Sequence, residues 1–338
     1  MVKFNEMKRI KFVYAFLPGI LILAVTFVVC MAFGSAEADF GRALESLRAG
    51  DFENTDLKIF LYVRLPRCTG AVLSGLSLAV SGVLIQAVLN NPMAAPNIIG
   101  VNSGAGLAVI LTVSLLPGFT ALIPAAAFAG ALFACLLISL IAVCTGAGKI
   151  TVTLVGIAVT SVLNAAISLV KTLFPNSTYN MTTFSVGGLG GVNIKIIGYV
   201  FPVIILCFTA ALLLSRNVDI LCLGKEAASN LGMNVRFQRF LMLAIASALA
   251  GCAVSFAGLI GFVGLVVPHI VRIFVGNRHS LLIPLSALYG AEFVLVSDLA
   301  CRVLFRPYEL PVGIILSFAG GIFFVCLILF NRKENRDD

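Results

Sequence analysis

Charged residues make up only 11% of this 338-residue chain, while 60% of it is hydrophobic. A soluble globular domain carries about a quarter charged and about half apolar residues, so that class is excluded. Only two histidines occur, His269 and His279, and there is no CxxC pair, no Cys/His cluster and no evident Ser/His/Asp set. Metal-site and hydrolase readings therefore have no residues to stand on. Stretches of about ten residues with alternating polarity are missing too, which excludes a transmembrane barrel. A phosphate loop is absent as well. The segment 145–151, TGAGKIT, fails GxxxxGK[ST] because Val143 stands where the first glycine belongs and Ile150 follows Lys149. The chain is expected to bind no ATP by itself.

What is present is a succession of apolar segments close to the ~20 residues that cross a ~30 Å hydrocarbon core as a helix. They cover 12–33, 66–89, 97–116, 119–143, 150–173, 195–214, 236–257, 261–275, 281–304 and 310–330. The expected fold is all-α: one polytopic membrane domain over 1–338 with about ten transmembrane helices. The first segment follows Lys3, Lys8, Arg9 and Lys11, but it is long for a signal peptide and is expected to stay as a span. Nine cysteines fall mostly inside apolar runs, as at Cys30, Cys135, Cys144, Cys207, Cys252 and Cys326, and read as small buried hydrophobes.

The formal net charge of +8 comes from basic residues at span boundaries, which argues against nucleic acid and reports topology. With the N-terminus inside, 14 of the 23 Lys and Arg residues fall inside and 9 outside. An even number of spans then leaves both termini cytoplasmic. The segment 34–63 is the longest outside connection, and 175–191 is expected to form a short helix near the outer face. Gly75, Ser77, Ala79, Ser81 and Gly82 in the second span, with Ser103, Gly104, Ala105 and Gly106 in the third, suit the close helix approach expected of central spans.

The longest polar interruption in the downstream two-thirds is 217–239. Val218, Ile220, Leu221 and Leu223 form an apolar cluster, Gly224 breaks it, and Lys225, Glu226, Ala227, Ala228 and Leu231 lead to Gly232, a residue suited to a left-handed helix end. Helices this short are marginal in water, so this stretch is expected to pack on a partner protein. Glu292 lies near the middle of the ninth span, where a charge must be paired or face water. Facing a path and being a neutral, helix-facing acid are both open for it. A proton- or sodium-driven secondary transporter is the alternative class that such a residue suggests.

Several motifs recur at span ends. They are Arg64-Leu65-Pro66-Arg67, Gln86 with Asn90-Asn91-Pro92, GLIGFVGLVVPHIVR at 258–272, Asp298 with Arg302, and Glu309-Leu310-Pro311-Val312-Gly313. With LGKEAASNLGMN at 223–234 and MTTFSVGGLGG at 181–191, they make 64–330 resemble the FecCD-type permeases, membrane subunits of ABC importers for iron-siderophores, haem and cobalamin. That resemblance implies a homodimer, or a heterodimer with a related permease, in the bacterial cytoplasmic membrane. It also implies two cytoplasmic ATPase subunits holding ATP and magnesium, a soluble binding protein outside, and no cofactor in this chain. By the same resemblance Leu221, Gly224, Lys225, Glu226, Ala227, Ala228, Leu231 and Gly232 are coupling residues. Arg64, Arg67 and Arg302 match outward-facing arginines that dock the binding protein. Gln86, Asn90, Asn91 and Glu292 are taken as path residues. The chain departs from the family pattern in Met93 after Asn-Pro, in Glu292, and in having no tryptophan.

Overall fold

A computed structural model describes residues 2–35, 38–144, 149–305 and 308–334, and these are helical with connecting turns and no strand. Of the phosphate-loop near-miss at 145–151, residues 145–148 lie outside the described residues. Seven helices are long and apolar enough to cross a membrane, and three shorter apolar helices accompany them.

Helix α1 (Val2–Ala32) is followed by α2 (Phe40–Ala49), which Asp39 caps by accepting from the Gly41 and Arg42 N–H groups. Helix α3 (Thr55–Leu89) is continuous over 35 residues, so 55–63, expected as connection, extends the second span instead. It contains one π turn, Ile59–Arg64. Pro66 sits just beyond, and the wider turn accommodates a ring that in a regular helix clashes with the carbonyl four residues earlier.

The third expected span is cut short. A 3₁₀ turn, Pro96–Ile99, ends on Gly100 in the left-handed region, and α4 (Val101–Leu115) has only 15 residues, roughly 22 Å of rise. Next come α5 (Ile123–Cys144), α6 (Lys149–Leu173), the short α7 (Ser177–Val186) and α8 (Ile194–Leu213). The pair α9 (Ser215–Cys222) and α10 (Lys225–Asn230) occupies the polar interruption. The chain closes with α11 (Val235–Ala257), the 13-residue α12 (Val263–Val275), α13 (His279–Val303) and α14 (Val312–Glu334).

The small-residue signal of the second span is realised in α3, which is buried along nearly all its length and is surrounded by α11, α12 and α13. A Cβ on Gly75 would overlap the Gly290 carbonyl of α13, and one on Gly82 would overlap the Gly264 carbonyl of α12. Ser81 adds a hydroxyl bond to the Ala246 carbonyl of α11, 2.7 Å. Helices α1, α6 and α8 expose most of their apolar surface, as helices facing lipid do. None of the cysteines whose side chains are described forms a disulfide, and most of them are buried.

Candidate functional site

The two ends of the bundle carry different chemistry. At the end where α13 finishes, three arginines converge. Arg64 donates from Nη1 to the Met31 and Ala32 carbonyls, both at 2.7 Å, and its guanidinium lies 4.6 Å from the Phe60 ring centre. Arg67 Nε reaches both Asp298 oxygens at 3.0 and 3.1 Å, and its Nη1 donates to Glu309 Oε2 at 2.5 Å. Arg302, one turn beyond Asp298, pairs with Oδ2 of that residue at 3.0 Å and donates to the Cys30 and Phe33 carbonyls at 3.1 and 3.2 Å. Exposure is 4% for Arg64, 6% for Arg67, 2% for Arg302 and 0% for Asp298.

The three arginines, expected at the outer face as docking residues, thus have their side chains buried within this chain. Carboxylates and carbonyls of the same chain take most of their donors, as a buried charge requires, although Arg302 Nη2 is buried without a hydrogen-bond partner. Glu309 is the most accessible member of the cluster, its side chain 36% exposed. Burial pushes its carboxyl up, but bonds from Arg67 and the Ser35 hydroxyl, with the Arg67 charge, outweigh that and hold it below the usual range.

At the opposite end, α9 and α10 meet at Gly224 with φ 102°, and Gly232 adopts φ 80° just after the second helix, the conformation its position suggests. Val218, Leu221 and Ala228 are buried and seat the pair on the bundle. Asp219 accepts the His279 backbone N–H at 3.0 Å and lies 2.7 Å from Nδ1 of the same residue, so a carboxylate sits at the start of α13. Burial raises the Asp219 carboxyl, yet the two His279 bonds prevail and leave it lowered. Leu223 and Leu231 are 63% and 64% exposed, and Lys225, Glu226 and Ala227 are exposed beside them. Of the eight coupling candidates, Leu221 and Ala228 thus face inward.

The four path candidates do not come together. Gln86 is 2% exposed and donates to the Gly264 carbonyl at 3.0 Å, tying α3 to α12. Asn90 ends α3 in the left-handed region, φ 47°, and Asn91 accepts the Met93 N–H at 2.9 Å, both of them turn roles. Glu292 accepts the Thr26 hydroxyl of α1 at 2.7 Å and borders a cavity of about 790 Å³ walled by apolar side chains such as Ile270, Phe274 and Phe293. His269 packs edge-on against Phe323, with ring centres 6.1 Å apart.

A second cavity, of about 340 Å³, mixes polar side chains with Ile167, Met181 and Leu259 and was not expected. Asn102 of α4, Thr160, Asn164 and Lys171 of α6, Ser185 of α7 and Asn97 of the 3₁₀ turn line it. Thr160, Asn164 and Lys171 recur at i, i+4 and i+11 along one face of α6, a polar stripe not singled out from the sequence, whereas Asn97, Asn102 and Ser185 join it only through packing. The chain breaks beside this cavity are tied to one another. Leu259 N–H donates to the Phe184 carbonyl at 3.0 Å, Gly188 N–H to Ala257 at 2.9 Å, and Gly313 N–H to Gly187 at 3.1 Å.

Comparison with known proteins gives a consistent picture. The profile of the FecCD transport family matches residues 22–330. The Fe(3+) dicitrate transport system permease protein FecD of Escherichia coli (strain K12) is 35% identical over 275 residues, covering 81% of this chain and 86% of that protein. The hemin transport system permease protein HmuU of Yersinia pestis is 36% identical over 282 residues, 82% of this chain and 84% of its own length. A solved inward-facing transporter assigned to the metal-chelate ABC type superposes with a TM-score of 0.81 at 26% identity, over 93% of this chain and 98% of that one.

Proposed function

Because the chain belongs to the FecCD transport family, we propose that it is the membrane permease subunit of an ATP-driven importer that carries an iron chelate inward. It sits in a bacterial cytoplasmic membrane with both termini cytoplasmic, pairs with itself or a related permease, and performs no covalent chemistry. ATP and magnesium belong to two ATPase subunits on its cytoplasmic side.

The observation that carries this reading is the α9–α10 pair. One side of it is seated by Val218, Leu221 and Ala228, while Leu223, Ala227 and Leu231 remain uncovered beside Lys225 and Glu226. Short helices with an unpartnered apolar side suit the cleft of an ATPase. Movement there has a direct mechanical outlet, since α9 grips the start of α13 through Asp219 and His279, and α13 carries Asp298 and Arg302 at its far end. The far end receives the loaded binding protein. Arg64, Arg67 and Arg302 serve that contact as its internal frame, holding Glu309 and the backbone of 31–33 in place.

Ala227→Lys tests the reading in proteoliposomes holding the whole importer. Uptake of iron chelate should fall at least tenfold, while stability changes by no more than about 0.5 kcal/mol, as for other surface substitutions. Uptake at the wild-type rate would sink the assignment of this surface.

A further inference from the structure

Helix α1 leans on α13 but barely meets α12, and the space between the three is the cavity of about 790 Å³. Its contact with α13 is close. The Tyr289 hydroxyl donates to the Ala15 carbonyl at 2.9 Å, a Cβ on Gly19 would strike Leu288, and Thr26 donates to Glu292. Beside that seam the walls are Tyr14 of α1, Ile270, Ile273 and Phe274 of α12, and Phe293 and Val296 of α13. All of these but Phe293 are exposed, so the space is an open groove among apolar helices.

Water does not fill such a groove. Apolar cavities stay dry, and walls left without neighbours forfeit their packing contacts. Apart from the Tyr14 hydroxyl, the polar groups of the lining are turned away: Tyr289 spends its hydroxyl on α1, Glu292 Oε1 is bonded to Thr26, and Glu292 Oε2 is buried. Along α13 the lining runs from Leu285 to Val296, roughly 16 Å of helix, about half of the ~30 Å hydrocarbon core. That is the depth of one leaflet.

Charge marks one end of the groove. Phe274 is followed four residues on by the exposed Arg278, and Tyr14 is preceded in α1 by Lys3, Lys8, Arg9 and Lys11 against a single acid, Glu6. Basic clusters at the end of a span attract anionic headgroups, and each Lys or Arg adds to the attraction. A second copy of this chain fits less well. A two-fold dimer meeting through this groove would bring the same surface of both copies together, basic start against basic start.

We propose that the groove binds one anionic glycerophospholipid. An acyl chain lies between α1, α12 and α13, and the headgroup meets the basic start of α1 and Arg278. The site takes only its leaflet, the cytoplasmic one, from the permease reading.

The chain has no tryptophan, so a single introduced one reports its own surroundings. Phe274→Trp places it in the groove, and Phe201→Trp places it on the exposed surface of α8. Each full-length variant goes into phosphatidylcholine vesicles holding a minor fraction of acyl-brominated phosphatidylglycerol or acyl-brominated phosphatidylcholine, which quench a tryptophan they touch. At Phe274→Trp the anionic lipid should quench with an apparent affinity at least about threefold higher than the neutral one. At Phe201→Trp the two should quench alike. Replacing Lys8, Arg9 and Lys11 by glutamine should remove the preference at Phe274→Trp. Should that variant fail to insert, raised salt carries this arm by screening the headgroup attraction, and the preference should at least halve.

Equal quenching by the two lipids at Phe274→Trp would overturn the site. So would an equal preference for the anionic lipid at Phe201→Trp, which is general enrichment, or a preference that survives removal or screening of the charge. Weak quenching by both lipids at Phe274→Trp alone would mean that protein covers the groove, and the site falls. Iron-chelate uptake by the complete importer decides the permease reading separately: lipid preference without uptake leaves the site and removes that reading, and uptake without preference does the reverse.

Discussion

The two ends of this bundle treat charge in opposite ways. Where α13 finishes, Arg67, Arg302, Asp298 and Glu309 are matched two against two, and Arg64 spends its donors on carbonyls. Where α13 begins, Lys225 and Glu226 stand in the open next to uncovered leucines, while Asp219 is drawn against the buried His279. An end whose charges are consumed internally is a rigid frame. An end that leaves both charge and apolar area uncovered awaits another surface. The same residue types thus serve cohesion at one pole and recognition at the other, and burial decides which.

The sharpest way to break that contrast is at Asp298. Replacing it with alanine leaves two buried guanidinium groups without their shared carboxylate, and removal of one partner from a buried ion pair costs about 3–5 kcal/mol. Thermal unfolding in detergent should register a loss of that order. A change as small as that expected for Ala227→Lys would mean that the cluster is wetter than its geometry implies.

A smaller effect is expected in the middle of the bundle. Gly82→Ala forces a methyl group against the Gly264 carbonyl and should cost about 1–3 kcal/mol, as overpacking generally does. The same scan applied to Gly232→Ala, which has open space around it but φ 80°, isolates backbone strain from crowding. The first variant should lose the more.

The smallest effect is on acidity. Glu309 and Asp219 both have carboxyls held below the ordinary value, one at each pole. A depressed folded value contributes stability that is present above the unfolded value, about 4, and disappears as pH falls through the folded one. Unfolding temperatures should therefore be insensitive to these groups between about pH 7 and pH 5 and decline below about pH 4. Glu309→Gln should flatten part of that decline, with the Asp219 share remaining. An unchanged acid limb in Glu309→Gln would remove Glu309 from the frame.

Local pattern was enough for some of this architecture. The alternation of Gly, Ser and Ala through 75–82 picks out the most buried helix, because backbones meet only where side chains are small. Gly224 and Gly232 divide the polar interruption into two helices at the residues where φ turns positive. The arginines were another matter. A basic residue at a span end looks the same in sequence whether it snorkels, docks a partner or is consumed internally, and Arg67 is 231 residues from Asp298 and 242 from Glu309. The second cavity was only half legible: Thr160, Asn164 and Lys171 recur at helical spacing on one face of α6, while Asn102 becomes their neighbour only through packing. The shortened third span escaped notice because hydropathy continues through Pro96–Ile99 while the α-helix does not.

The π turn at Ile59–Arg64 acts as a phase setting for the longest helix. One surplus residue in a helical turn rotates everything before it by about 100° relative to everything after it. At this turn Arg64, lying over the Phe60 ring, reaches the carbonyls closing α1, while Arg67, three residues on, points at Asp298. Deleting one uncharged residue there would restore a regular screw and turn 55–59 by about 100° relative to Arg64 and Arg67, without altering a single charge.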